Sequence, residues 1–122
     1  MDLYQGRYRP VAISAPSEDS EELRQQRSLF ASAVDGLRER DIVLIEAVGQ
    51  KIATIVGPDC DSSAQDLRAH YGIDASRFSV VLVGKDGGVK LRAEEAVPAE
   101  KLFALIDAMP MRQREMRESK RR

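Results

Sequence analysis

From Arg9 to Ala15 (RPVAISA) Val11 and Ile13 alternate with small residues, which predicts a first β-strand. Pro16 and Ser17 break that run. Beyond them the apolar period lengthens: Leu23, Phe30, Val34 and Leu37 form one stripe of a helix predicted to run to about Arg40. Asp19 reads as its N-cap, with Glu22 three residues on as capping-box partner. Glu18, Glu21 and Glu22 put negative charge at the positive end of the helix dipole, and Arg38 and Arg40 sit at the negative end. Asp41 to Val48 (DIVLIEAV) then contains the unbroken run Ile42-Val43-Leu44-Ile45, the pattern of a strand buried on both faces of a parallel sheet. A helix bracketed by these two strands is a βαβ unit, expected to cross over right-handed.

Gly49 and Gln50 turn the chain into a shorter predicted strand, Ile52 to Val56. After Gly57-Pro58-Asp59, either Asp61 or Ser62 is expected to cap a second helix, Ser63 to Tyr71, that buries Ala64, Leu67 and Tyr71. Gly72 supplies the left-handed residue that ends it. Phe78 to Arg92 (FSVVLVGKDGGVKLR) reads as a β-hairpin, because its Asp-Gly tolerates the positive φ of a tight turn. A last helix opens with Pro98 at its first helical position, and Leu102, Leu105, Ile106 and Met109 lie on one face. The fold class is therefore α/β, a central mixed sheet of four or five strands flanked by helices. Residues 1–109 form the domain, and 110–122 form a basic C-terminal helix or tail of the same domain.

Composition narrows the function. The 122 residues carry a net charge of −1, which argues against a nucleic-acid partner held by bulk charge. That total hides an asymmetry: residues 110–122 carry +4 and the rest −5. No run of eighteen apolar residues exists, so no membrane span is expected. No apolar stretch precedes the first strand, so the chain as given reads as cytoplasmic; a signal peptide upstream of Met1 would make it periplasmic. One cysteine, Cys60, and one histidine, His70, exclude an internal disulfide and the usual structural zinc sets. No Walker GxxxxGK[ST] or Rossmann GxGxxG occurs, and no cofactor is expected.

The order β-α-β-(β)-α-β-β-α resembles the thioredoxin fold. More narrowly, the turn Gly84-Lys85-Asp86-Gly87-Gly88 with the later Met109-Pro110-Met111-Arg112 resembles a bacterial family known only as a domain of unknown function. Members of that family are similar to peroxiredoxin-like domains of animal extracellular-matrix proteins. The resemblance covers about residues 9 to 117. It implies a reactive cysteine just after the first strand and a cis-proline just before the hairpin. Here those places read Ser14-Ala15-Pro16-Ser17-Glu18-Asp19-Ser20 and Ser76-Arg77-Phe78. A hydroxyl cannot carry out thiol–disulfide exchange, so the fold is expected without its redox chemistry.

The expected role is a non-catalytic module that binds a protein partner or a second copy of itself. Ser14, Ser17 and Ser20 occupy the loop where the resemblance would put an active site; they read as a polar pocket binding a small anion or peptide at the helix N-terminus, opposed by the nearby carboxylates, or as helix caps. Lys85 and Asp86, with Lys90, read as turn chemistry and solvated strand ends, or as a Lys-Asp pair that would need a partner pocket to act chemically. Met111, Arg112 and Arg114 read as part of a partner-binding segment, as a segment docked on the acidic body of its own domain, or as a frayed helix, with Glu118 to Arg122 disordered. The alternative is enzymatic: peroxiredoxin-like or glutathione-linked thiol activity through Cys60. A helix start favours a thiolate there, and the flanking Asp59 and Asp61 oppose one. His70 reads as a surface or helix-end residue.

Overall fold

The computed structural model describes residues 4–120, with side chains through Glu118. Arg121 and Arg122 of the basic tail lie outside the described residues. Five strands form one mixed sheet: β1 (Arg9–Ala15), β2 (Ile42–Val48), β3 (Lys51–Val56), β4 (Ser79–Val83) and β5 (Val89–Ala93), in spatial order β3-β2-β1-β4-β5. β1 and β2 are parallel, in register from Arg9↔Ile42 to Ala15↔Val48. The remaining pairs are antiparallel, including β1 with β4 and the β4–β5 hairpin. The expected α/β class with a mixed sheet is what the chain forms.

Strand alternation divides the core between two faces. Val11, Ile13, Leu44, Val80 and Leu82 meet Leu23, Phe30, Leu37, Leu102 and Ile106. Those helical residues come from α1 (Glu21–Ala31), α2 (Val34–Glu39) and α4 (Ala99–Asp107). On the other face Ala12, Val43, Ile45, Val81 and Val83 meet Tyr4 and the Ala64, Leu67 and Tyr71 of α3 (Ala64–Tyr71). α3 ends where predicted, at Gly72 with φ +66°.

Several local expectations are corrected. The single helix expected up to Arg40 is two, broken at Ser32–Ala33. The break seats Gly36 against the Phe103 ring, where a Cβ would lie 2.8 Å from ring carbons. The α1 N-cap is Ser20 rather than Asp19: its Oγ accepts from Leu23 N–H at 3.3 Å. Ser63 caps α3, not Asp61 or Ser62, accepting from Asp66 N–H at 3.0 Å. Pro98 is the N-cap of α4 and Ala99 its first residue. Leu105 turns to solvent, and Leu102 and Ile106 alone of that stripe are fully buried. A fifth helix, α5 (Pro110–Lys120), has Pro110 as its first residue and continues past Glu118, so the tail is helical there rather than disordered.

Candidate functional site

Because β1 and β4 are antiparallel neighbours, with Ser14 opposite Ser79, the exit of β1 faces the entry to β4. Pro16 stops β1, and the chain needs Ser17 to Ser20 to turn into α1. The result is a cleft of about 470 Å³ lined by Pro16, Ser17, Asp19, Ser20 and Glu22 on one side and Ser76, Arg77, Phe78 and Glu94 on the other. The serine hydroxyls here have local work. Ser17 Oγ accepts from Asp19 N–H at 3.3 Å, and Ser20 Oγ caps α1 while donating to Glu22 Oε2 at 3.1 Å. Carboxylates dominate the rim; its one cation, Arg77, lies 3.5 Å from Glu94 and 3.8 Å from Asp74. None of the lining residues is a thiol or an imidazole, so this cleft offers charge and shape but no nucleophile of the kind thiol chemistry requires.

Ser14 is not in this cleft. It lies in β1, fully buried on the α3 side, and its Oγ accepts from Arg68 Nε at 2.8 Å. Arg68 also donates to the Gly49 carbonyl and, through Nη2, to Ala15 O at 3.2 Å and Ala47 O at 3.1 Å. One guanidinium thus closes the carbonyl ends of β1 and β2. Burial favours its neutral form and draws its pKa down.

Cys60 is half-buried after β3, and its N–H donates to Thr54 Oγ1 at 2.9 Å. It packs against the α3-side core beside Tyr4 and Tyr71. Burial first, then the neighbouring Cys60, pushes both phenols up to about 12. Cys60 does not line the β1–α1 cleft, so thiol and serines form no composite site there. His70 is exposed and meets the Tyr71 ring edge-on at 4.7 Å. Among the described residues no group of three His, Cys, Asp or Glu is placed to hold a metal ion.

The hairpin turn and the tail come together at the opposite end of the sheet. Glu115 of α5 takes Arg9 through both oxygens, Oε1 at 3.2 Å and Oε2 at 3.1 Å, and Lys85 Nζ at 2.6 Å. Lys85 also reaches Asp41 Oδ2 at 2.8 Å. Asp41 holds a left-handed φ of +55° just before β2. Beside them Arg40 pairs twice with Asp107, at 3.0 and 2.9 Å, and stacks 4.0 Å over the Phe103 ring. Arg112, nearly fully buried, donates to Asp107 Oδ1 at 3.1 Å and to Glu39 Oε1 at 3.4 Å. The guanidiniums of Arg40 and then Arg112 hold the Asp107 carboxyl below its usual range despite burial. Asp86 stays in the turn, where the Gly88 N–H and then Lys90 lower its pKa. Met111 and Arg114 are exposed on the outer side of α5.

A family model described as "Domain of unknown function (DUF4174)" matches residues 1–115. The chain belongs to DUF4174. Within that family its fold is thioredoxin-like: it superposes on Plasmodium yoelii thioredoxin peroxidase I with a TM-score of 0.64 at 15% identity, covering 93% of this chain and 79% of the other. At that identity the likeness concerns the fold alone. The chain is also similar to the human sushi repeat-containing proteins SRPX (32% identical, 95% of this chain, 26% of that protein) and SRPX2 (29%, 88% and 24%). Coiled-coil domain-containing protein 80 of Danio rerio is 28% identical over 95% of this chain and 15% of its own length. This DUF4174 chain therefore spans about a quarter of the length of the sushi repeat relatives. No helix among its described residues is long and apolar enough to cross a membrane.

The polar residues that shape both ends of the sheet include four that sequence reasoning did not single out: Arg9, Gln26, Glu46 and Arg68. Gln26 is fully buried and bridges α1 to the segment before α4, donating to Val97 O at 2.8 Å and accepting from Val97 N–H at 2.7 Å. Glu46 faces the α1 side of β2, paired with Arg27 at 2.8 Å. One signal was present: a charged residue inside an otherwise apolar strand, Arg9 in RPVAISA and Glu46 in IVLIEAV, must find a partner or be destabilising.

Proposed function

We propose that this chain is a non-catalytic thioredoxin-like module that binds a protein partner in the cleft between the β1–α1 loop and the entry to β4. The observation that carries this reading is the lining: carboxylates on the rim, and hydroxyls already used to cap α1. Asp19, Glu22 and Glu94 outnumber Arg77, so the fitting partner segment is basic, with an apolar residue to lie near Phe78. The tail is the weaker candidate for that surface, because Arg112 and Glu115 are committed to contacts within the domain. The test is binding of a Lys/Arg-rich peptide, followed by fluorescence anisotropy, with wild type and with Asp19→Lys/Glu94→Lys. Crosslinking in cell extract with full-length and 110–122-deleted protein accompanies it. Binding lost on charge reversal and kept on tail deletion supports the cleft; background signal throughout argues against the reading.

The competing reading is thiol activity through Cys60. Thiol titration and peroxide consumption by wild type and Cys60→Ser decide it: equal consumption by the two proteins removes it.

A further inference from the structure

We propose that α5 is a charge-held strap that acid or high salt releases from the end of the sheet as a unit, while the five strands stay folded. The helices on this side of the molecule are fastened in different ways. α4 buries Leu102 and Ile106 completely. α5 buries only Arg112, with Glu115 and Met116 half-buried and the rest of its described side chains exposed. Its grip therefore rests on ion pairs, which respond to pH and salt far more than apolar area does.

Glu115 is the centre of that grip. Arg9 faces it from β1, Lys85 from the β4–β5 turn, and Arg112 of its own helix at 3.8 Å. Asp41, preceding β2, shares Lys85, and the Arg40 carbonyl at the end of α2 shares Arg9 Nη1. Arg9 is 1% exposed and Lys85 9%, so Glu115 is the one carboxylate among the described residues that compensates both of two cations with almost no water, with Asp41 sharing only Lys85. Arg9 Nε has no hydrogen-bond partner among the described residues, which leaves Arg9 still more dependent on Glu115.

Burial alone would raise the Glu115 pKa; the hydrogen bonds and charges of Lys85 and Arg9 overcome it and hold the carboxyl below its usual range. A lowered folded-state pKa means the contribution is whole above the unfolded value, about 4.3, and is lost as pH falls through the folded one. Asp107, lowered by Arg40 and Arg112, follows the same sign. At 1 M salt the screening length is about 3 Å, so the contacts of the more exposed Glu39 and Asp107 weaken most and those of buried Arg9 and Lys85 least.

The test is hydrogen exchange with mass-spectrometric readout on the full chain, as protection factors for peptides of α5 and of β1 and β4. Glu115→Gln at pH 7 mimics acid without risking global acid unfolding. The expected result is that α5 is less protected than β1 and β4 in wild type, and that Glu115→Gln lowers α5 protection about tenfold, toward that of a released helix, while β1 and β4 remain well protected. Wild type in 1 M NaCl is expected to move the same way. Two results overturn the proposal: α5 as well protected as the sheet in wild type and variant alike, or α5 protection insensitive to both the substitution and salt.

Discussion

Gln26 is the cleanest place to test whether buried polar bridges position the cleft. Its amide makes both hydrogen bonds to the backbone of Val97, at 2.8 and 2.7 Å, in a fully buried setting. The segment it holds leads from β5 to α4 and carries Glu94 on the cleft rim. Gln26→Leu keeps the volume and removes both partners. It orphans one buried N–H and one buried carbonyl, each costing about 1–3 kcal/mol, so the expected loss is about 2–6 kcal/mol. Gln26→Glu separates hydrogen bonding from size. A neutral carboxylic acid donates to Val97 O and accepts from Val97 N–H, as the amide does; a carboxylate keeps only the second bond and sets a charge against a carbonyl. The folded state must then hold its proton more tightly than the unfolded state does. A raised folded-state pKa gives stability that is whole below about pH 4.3 and lost as pH rises through the folded value. Urea denaturation followed by circular dichroism between pH 4.5 and 7.5, on wild type and both variants, reads this directly. Gln26→Glu should approach wild type at the acid end and fall toward Gln26→Leu at the neutral end. A Gln26→Leu within 0.5 kcal/mol of wild type, or a Gln26→Glu deficit that ignores pH, refutes the reasoning.

Arg68→Met retains an apolar stem but leaves Ser14 Oγ and the Ala15, Ala47 and Gly49 carbonyls without their shared donor. It should cost about 2–4 kcal/mol in urea denaturation, and Arg68→Lys should recover little of that, since an ammonium cannot reproduce the guanidinium fork. Leu102→Ala opens a cavity where α4 meets the sheet and should cost about 2–5 kcal/mol, with a corresponding fall in Tm by calorimetry.

The backbone plan was legible because it rests on local chemistry. Alternation in RPVAISA, the run in DIVLIEAV, Gly72 and the Asp86-Gly87 turn each act within a few residues, and the strands and α3 follow them. The α1 cap was missed by one residue because Asp19 and Ser20 are both competent caps, and only the final turn geometry gives the Leu23 N–H to Ser20. The break at Ser32–Ala33 has no Gly or Pro to announce it; what accompanies it is the close seating of Gly36 on Phe103 of α4. The polar sites were less legible for the same reason. Arg9 and Glu115 are 106 residues apart, and Gln26 and Val97 are 71 apart. Sequence shows that such a group needs a partner and cannot show which. Ser14 illustrates the cost of position alone: it lies next to the cleft loop in the chain, yet strand alternation turns it to the opposite face, under Arg68.

The two ends of the sheet differ in how completely their charges are matched, and this is the ground for proposing that one end binds and the other holds the fold. At the end where β1 and β2 begin, Arg9, Arg40, Lys85 and Arg112 are set against Glu39, Asp41, Asp107 and Glu115 in contacts of 2.6–3.8 Å. At the cleft, Asp19, Glu22 and Glu94 face Arg77, with Arg24 reaching Asp19 only at 4.0 Å, and Asp19 and Glu94 are mostly exposed. A cluster with matched charges and buried cations serves folding; one with excess exposed carboxylates leaves charge for another molecule to answer. Lys85→Met should therefore cost about 2–3 kcal/mol, less than for a fully buried pair because Asp41 and Glu115 keep some water. Glu94→Lys should leave stability within about 0.5 kcal/mol and abolish binding of the basic peptide. Urea denaturation and anisotropy on the same two variants give four numbers. If Glu94→Lys destabilises as much as Lys85→Met, or Lys85→Met impairs peptide binding as much as Glu94→Lys, the division of labour between the two ends is wrong.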